Sequence, residues 1–224
     1  MDRLNMPVVN ADTIRAMEDM TFFTYAQIFD DLLIISQKET NCFVLKTTEG
    51  LVVIDAIWPS AEVFHAIVNS IKGIGWNPDS ISKLILTHGH VDHTGCGKWL
   101  VEKYHAVTYL SKTDDIFWKE HPVKADRPET WKDYGINVYV QGGDTIISGD
   151  KSIKVDATLG NTTGCTSYIV AVKEDGEVHK AALWGGTKPP WIRNGIDQSS
   201  TSVDYFMGEA RKEKDDVALS THPY

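Results

Sequence analysis

Three histidines and an aspartate stand within six residues, His88-Gly89-His90-Val91-Asp92-His93, directly after an apolar run, Lys83-Leu84-Ile85-Leu86-Thr87. A cluster of the form H-x-H-x-D-H arises by chance in about one chain in a thousand of this composition, so it calls for a chemical reason. Imidazole nitrogen and carboxylate oxygen are the ligands that zinc and similar metals take. A tight loop leaving the C-terminal end of a buried strand can turn alternate side chains toward different ions, and Gly89 permits the close turn. A polar loop of ordinarily hydrogen-bonded histidines is the competing reading.

The segments around the loop alternate between strand and helix. Ile28-Phe29, Leu32 to Ile35, Cys42 to Leu45 and Leu51 to Ile54 read as a β-meander with polar turns. Ser60 is a good N-cap for a helix with Val63, Phe64, Ile67, Val68 and Ile71 on one face, ended by Gly73. The strand at residues 83–87, a helix through Trp99, Leu100 and Tyr104, and a strand at 107–110 resemble an α/β unit. Residues 113–135 are either a helix plus a loop or a substrate-facing insertion. Strands return at 136–140, 153–155, 166–172 and 178–184, the last two joined by a hairpin turn at Asp175-Gly176. A helix over 203–214 and a short strand at 217–219 follow. A helical pattern at Ala11, Ile14, Met17 and Met20 precedes the strands. The two strand-rich halves are expected to form two facing sheets.

Composition removes several classes of function. The 224 residues suit one domain, and 42% hydrophobic with 24% charged residues describes a chain that folds. Twenty-two Lys and Arg against 31 Asp and Glu leave a net charge of −9, the wrong sign for a nucleic-acid surface. Cys42, Cys96 and Cys165 cannot all pair and form no C-x-x-C motif. No apolar run is long enough to span a membrane. The opening Met-Asp-Arg-Leu-Asn-Met-Pro lacks the features of a signal peptide, which predicts a cytoplasmic protein.

The segment Thr87 to Gly95 resembles the signature of the metallo-β-lactamase superfamily. Val53-Ile54-Asp55, Thr158 to Gly164, Leu183 to Thr187, and Ser220-Thr221-His222-Pro223 match further motifs in the family's order. The resemblance implies an αβ/βα four-layer sandwich, two facing mixed sheets flanked by helices, with metals at one edge. It places His88 and His90 on a first zinc, and Asp92, His93 and His222 on a second, while Asp55 orients the metal loop. Asn161 stands where the family usually has histidine, so it is a weak or lost ligand position, or a packing residue that replaced the ligand. One or two zinc ions are therefore expected, with the second site favoured over the first. Thr187 stands where many of the family's hydrolases carry a bridging aspartate, and the pattern there is closer to the third subclass of class B β-lactamases. Its hydroxyl is a candidate substrate contact. Family chains continue past the final ligand into another helix, so residues 1–224 read as a single domain that is unusually short or truncated at the C-terminus.

The activity implied is hydrolysis of an amide or ester carbonyl in a small-molecule substrate, a β-lactam-type ring among the possibilities. A zinc-activated water attacks, and Asp92 orients it. The alternative is a degenerate, metal-binding member with little or no activity. Cys96 and Cys165 each follow a motif glycine and either lie near the site or pack as small hydrophobes. Trp118, Trp131 and Trp191 are candidate walls of a substrate pocket. His65, His105, His121 and His179 have no ligand-like neighbours in sequence.

Overall fold

The structure is a computed structural model and describes residues 23–120, 134–187 and 193–222. Strands β1 (Thr24–Phe29), β2 (Leu32–Gln37), β3 (Thr40–Thr47) and β4 (Gly50–Ile54) form an antiparallel meander. The chain then crosses through helix α1 (Ala61–Gly73) to β5 (Ile81–Ile85), which runs parallel to β4. Helices α2 (Val91–Thr94) and α3 (Gly97–Tyr104) lead to β6 (Val107–Ser111), and α4 (Lys112–Glu120) precedes β7 (Val138–Val140). These seven strands make one sheet in sequence order. A second sheet, ordered β12-β11-β10-β9-β8, contains β8 (Thr145–Ser148), β9 (Lys151–Ala157), β10 (Thr166–Glu174) and β11 (Glu177–Trp184). It is antiparallel except for β12 (Val217–Ser220), which returns parallel to β11 after helix α5 (Arg193–Glu213).

The central strands are apolar on both faces because both faces are covered. In β3 and β4, Cys42, Val44, Leu51 and Val53 pack outward under α1 and α3, beside Val63, Ile67, Ile71 and Leu100. The alternate residues Phe43, Leu45, Val52 and Ile54 face the second sheet and meet Val155, Tyr168, Val170 and Leu183. Phe206 of α5 closes the far side against Ile169 and Ala182. Helices, sheet, sheet and helix are the four layers of the expected αβ/βα sandwich.

Local expectations hold with some shifts. Ser60 caps α1 by accepting the Val63 N–H at 3.2 Å. Gly73 is the last helical residue rather than the break. The positive φ falls at Gly75, at +81°, and Gly73 is small because Tyr25 Oη lies 2.6 Å from where a Cβ would stand. The strand expected at 83–87 is Ile81–Ile85, since Thr87 is drawn off by Asp55. The hairpin turn at Asp175-Gly176 has both residues at positive φ, +51° and +85°. Helix α5 starts at Arg193, ten residues before the predicted start, and β8 was not predicted. The N-terminal helical pattern at Ala11, Ile14, Met17 and Met20 lies outside the described residues. The segment at 113–135 opens as helix α4, and residues 121–133 lie outside the described residues. No helix among the described residues is long and apolar enough to cross a membrane.

Candidate metal centre

The motif residues meet at one edge of the sandwich, where several strands end. Asp55 follows β4 with φ of +62° and is wholly buried. Its carboxylate accepts the Thr87 N–H at 2.8 Å, the Thr87 hydroxyl at 2.8 Å and His93 Nδ1–H at 2.7 Å. The same loop is tied through the backbone, Ala56 N–H to the His93 carbonyl at 2.7 Å. Gly95 is required here, since a Cβ would stand 2.1 Å from the Ile57 carbonyl oxygen.

His222 reaches the same point from the end of β12. Its Nδ1 donates to the Glu39 carbonyl in the β2–β3 turn. That turn is fastened to the His222 loop by Asn41, whose N–H donates to the Thr221 carbonyl at 2.7 Å and whose amide donates to the Ser220 carbonyl at 2.9 Å. With both Nδ1 atoms placed to donate, His93 Nε2 and His222 Nε2 face each other at 3.1 Å. Asp92 Oδ2 stands 3.6 Å from His93 Nε2 and 3.8 Å from His222 Nε2, and it accepts the Thr40 hydroxyl at 3.3 Å. Two imidazole nitrogens and a carboxylate oxygen thus face one point, as the ligands of a metal ion do. Ligands at about 2.0–2.1 Å around a tetrahedral zinc stand roughly 3.3 Å apart, so the three-atom set fits such an ion. Burial alone would raise the Asp92 pKa, but the imidazoles of His93 and His222 bring it below the usual carboxylate range.

Around His88 the arrangement differs. The Thr87 proton is committed to Asp55, so His88 Nδ1, 3.0 Å from Thr87 Oγ1, is the donor. Its Nε2 then accepts an N–H from the Asn161 amide at 2.9 Å. Burial, followed by the neighbouring His93, His90 and His222, pushes the His88 pKa well down, which keeps the ring neutral. His90 sits at the partly exposed mouth, its ring centroid 4.9 Å from that of His88 and 5.5 Å from that of Phe117. Among the described residues, Asp92, His93 and His222 are the one group of three His, Cys, Asp or Glu with mutually close ligand atoms.

Thr187 Oγ1 lies 3.0 Å from Ser220 Oγ, two residues from His222. Cys96 is buried in the core under α1 and α3. Cys165 is also buried, with its Sγ 2.9 Å from where a Cβ on Gly186 would be. Trp118 is not a pocket wall: it is 4% exposed on α4 and packs against Tyr134, with ring centroids 4.9 Å apart and planes inclined at 59°. Trp131, Trp191 and His121 lie outside the described residues. His65 and His105 are exposed. His179 does have an acidic neighbour, Asp216, 2.7 Å from its Nδ1, and that hydrogen bond raises its pKa.

Sequence reasoning missed Asp114, which opens α4 and is fully buried. It accepts the Gly89 N–H at 2.9 Å, the Gly164 N–H at 2.9 Å and the Thr162 hydroxyl at 2.6 Å, joining the His88 loop to the Asn161 loop. Burial raises its pKa against the pull of those three donors. Gly89 is needed because α4 packs over it, with Asp114 O 2.9 Å from a would-be Cβ, and not for the turn itself. The carbonyl of Glu39 was also missed, since a backbone acceptor leaves no residue-type signal.

The geometry accords with comparisons to known proteins. The chain is 26% identical over 139 residues to the uncharacterized protein YobT of Bacillus subtilis (strain 168), covering 58% of this chain and 56% of that protein. It is 26% identical over 125 residues to a hydroxyacylglutathione hydrolase of Buchnera aphidicola subsp. Acyrthosiphon pisum (strain APS), covering 56% and 40%. The chain thus spans about half or less of the length of these relatives. A subclass B3 metallo-beta-lactamase of Bradyrhizobium japonicum superposes with a TM-score of 0.74 at 22% identity, over 89% of this chain and 77% of that one. The metallo-beta-lactamase GOB-18 of Elizabethkingia meningoseptica gives 0.73 at 20% identity, over 99% and 82%. At such identities the likeness concerns the fold. The family profile described as the metallo-beta-lactamase superfamily matches residues 36–174, well over half of the sequence, and the chain belongs to that superfamily.

Proposed function

We propose that this chain is a zinc-dependent hydrolase acting on an amide or ester carbonyl of a small molecule, with Asp92, His93 and His222 as the metal site. The observation that carries the proposal is the clustering of His93 Nε2, His222 Nε2 and the Asp92 carboxylate, with the two nitrogens 3.1 Å apart. A zinc ion held there would lower the pKa of a water molecule and polarise a substrate carbonyl. Asp55 and the Glu39 carbonyl hold His93 and His222 by Nδ1 and so turn Nε2 toward the proposed ion, the usual task of groups behind a metal ligand. Asp92 keeps an oxygen available to take a hydrogen bond from water and so orient it. The Thr187 and Ser220 hydroxyls, at the rim beside His222, supply donors for a polar group of the substrate. A β-lactam ring, a lactone and a thioester all present the required carbonyl.

The Asn161 amide on His88 Nε2 supports a second reading, a member with an impaired first site and little turnover. His88, His90 and a third ligand would hold that ion, and the amide N–H now occupies the lone pair that His88 would offer. Metal analysis of protein purified without chelator tests both readings. One zinc per chain is expected, lost in His93→Ala; unchanged metal in that variant overturns the assignment. Asn161→His is expected to raise the stoichiometry toward two, and unchanged stoichiometry with normal folding rejects the lost-ligand account. Turnover of a β-lactam, lactone and thioester panel at full zinc loading separates hydrolase from degenerate member.

A further inference from the structure

A chain of hydrogen bonds leads from Asp55 to Asn161, and each bond sets the sense of the next. The Asp55 carboxylate takes the one hydroxyl proton of Thr87 at 2.8 Å, so Thr87 Oγ1 is left to accept from His88 Nδ1 at 3.0 Å. His88 Nε2 must then accept, and the Asn161 amide meets it at 2.9 Å with an N–H and not with its oxygen. The side chain is held at its base as well, because a Cβ on Gly186 would stand 3.2 Å from the Asn161 Cβ. Asn161 is 9% exposed, and among the described residues the bond to His88 is its only hydrogen bond. An amide nitrogen carries two N–H groups, so the second is fixed in direction and has no acceptor in the protein. A buried donor in that state calls for one. The His88 ring lies against that of His93, with centroids 3.9 Å apart, which sets this amide beside the Asp92, His93 and His222 cluster.

We propose that Asn161 is a catalytic residue whose second N–H donates to the carbonyl oxygen of the substrate as negative charge gathers there. The inference rests on the hydrolase reading above, and it gives the residue that replaces a histidine of the family a task of its own. As a water oxygen adds to the carbonyl carbon, the π pair of the C=O bond moves onto the carbonyl oxygen. A donor already held in place stabilises that charge with no reorganisation at the moment of reaction. When the pair returns, the bond to the leaving nitrogen, oxygen or sulfur breaks, and the leaving group takes up the proton that the water gives up. The bond to His88 supplies the rigidity, since turning the amide would break it.

Asn161→Leu in the zinc-loaded chain tests the proposal, because leucine keeps the branched shape and has no donor. With whichever member of the β-lactam, lactone and thioester panel the wild type hydrolyses, kcat is expected to fall about 10²- to 10³-fold, while KM and zinc content stay nearly unchanged. Binding gives a readout apart from turnover. Phenylboronic acid, whose boron adds a water oxygen and sheds a proton to become a tetrahedral anion, is expected to bind the variant about tenfold more weakly. In isotope-labelled wild type it is expected to shift the side-chain amide resonance of Asn161. Equal kcat in the two proteins overturns the inference and leaves the hydrolase reading standing, whereas a zinc-loaded wild type that turns over no panel member overturns both. Activity lost in step with zinc assigns the amide to the metal and overturns the inference too, as does phenylboronic acid that binds both proteins alike or neither. If Asn161→Leu fails to fold, the wild-type amide resonance decides: no shift on saturation with phenylboronic acid overturns the inference.

Discussion

Asp55 occupies a left-handed backbone conformation that costs an ordinary residue of order 1 kcal/mol or more, and its buried carboxylate offsets this by collecting three donors. The donors differ in consequence. Two come from Thr87 and fix the loop, while the third is His93 Nδ1–H and fixes which nitrogen of that ring faces Asp92 and His222. Asp55→Asn preserves size and can still accept from Thr87. It loses the negative charge on His93 and can present an amide N–H to Nδ1, which turns the ring to the tautomer with Nε2 protonated. Zinc affinity is expected to fall by about 10- to 100-fold, with a fold unchanged by circular dichroism. Competition against a chelator of known affinity measures it, and an unaltered dissociation constant would show that Asp55 only packs. The candidate ligands were legible in sequence because the H-x-H-x-D-H spacing and the late Ser-x-His-Pro are residue-type signals. Of their supports, Asp55 was legible and the others were not. Glu39 acts through its carbonyl, Thr40 and Asp114 stand at the starts of β3 and α4, far off in sequence, and a buried aspartate at the start of a charged helix looks the same in sequence as an exposed one.

Elements with strong local signals were readable. Helix α1 has a capping serine and a clean apolar face, and β3 and β4 are unbroken apolar runs because each faces a helix layer on one side and a sheet on the other. β8 escaped because its four residues, Thr-Ile-Ile-Ser, do not alternate, and Ile147 is left 57% exposed. The start of α5 escaped because Ser199 to Ser202 are poor helix formers, held in the helix by contacts no local rule contains, such as the Ser202 hydroxyl on the Leu159 carbonyl at 2.7 Å. The turn from α5 into β12 contains a group that works against the fold. Both carboxylate oxygens of Asp215 are shut from solvent and accept no hydrogen bond. Burial, partly opposed by Lys180 and Lys154 and reinforced by Glu213 and Asp216, raises its pKa from 3.8 to about 6. A carboxyl that binds its proton more tightly in the folded chain destabilises the fold once ionised. The penalty is absent below pH 3.8, grows as pH rises, and is complete above about 6. Asp215→Asn is therefore expected to stabilise the protein by about 1 kcal/mol at pH 8, allowing for screening at this partly exposed turn. That corresponds to roughly 2–4 °C in Tm, vanishing as pH falls toward 4. A Tm difference independent of pH would assign the effect to something other than ionisation.

Across the whole molecule, the proposed metal site requires the two sheets to hold a fixed spacing, because its ligands are divided between them: His93 follows β5 of the first and His222 follows β12 of the second. At the metal edge the β2–β3 turn performs the fastening through Asn41. At the other end of β2, six residues or about 20 Å away, the β1–β2 turn makes a second clasp of a different kind. Lys151, at the start of β9 and 3% exposed, donates to Asp31 Oδ2 at 2.5 Å and to the Ala171 carbonyl at 2.8 Å. Asp31 Oδ1 accepts the Lys173 N–H at 2.9 Å, and Asp30 N–H donates to the Lys173 carbonyl at 2.7 Å. A buried pair of this sort contributes little beyond what matched apolar residues would, because desolvation offsets most of the attraction, but removing one partner strands the other charge. Lys151→Met is thus expected to cost about 3–5 kcal/mol and lower Tm by roughly 10 °C, while Asp31→Asn in the same chain recovers much of the loss by removing the stranded charge and keeping the acceptor for Lys173. Thermal unfolding of the two variants, read beside zinc content at 25 °C, checks it. Zinc content should be unchanged in both, since the clasp lies at the edge opposite the metal site. A single variant as stable as wild type, or a double variant no better than the single, would mean that the sheets are held at this end by their apolar layer alone.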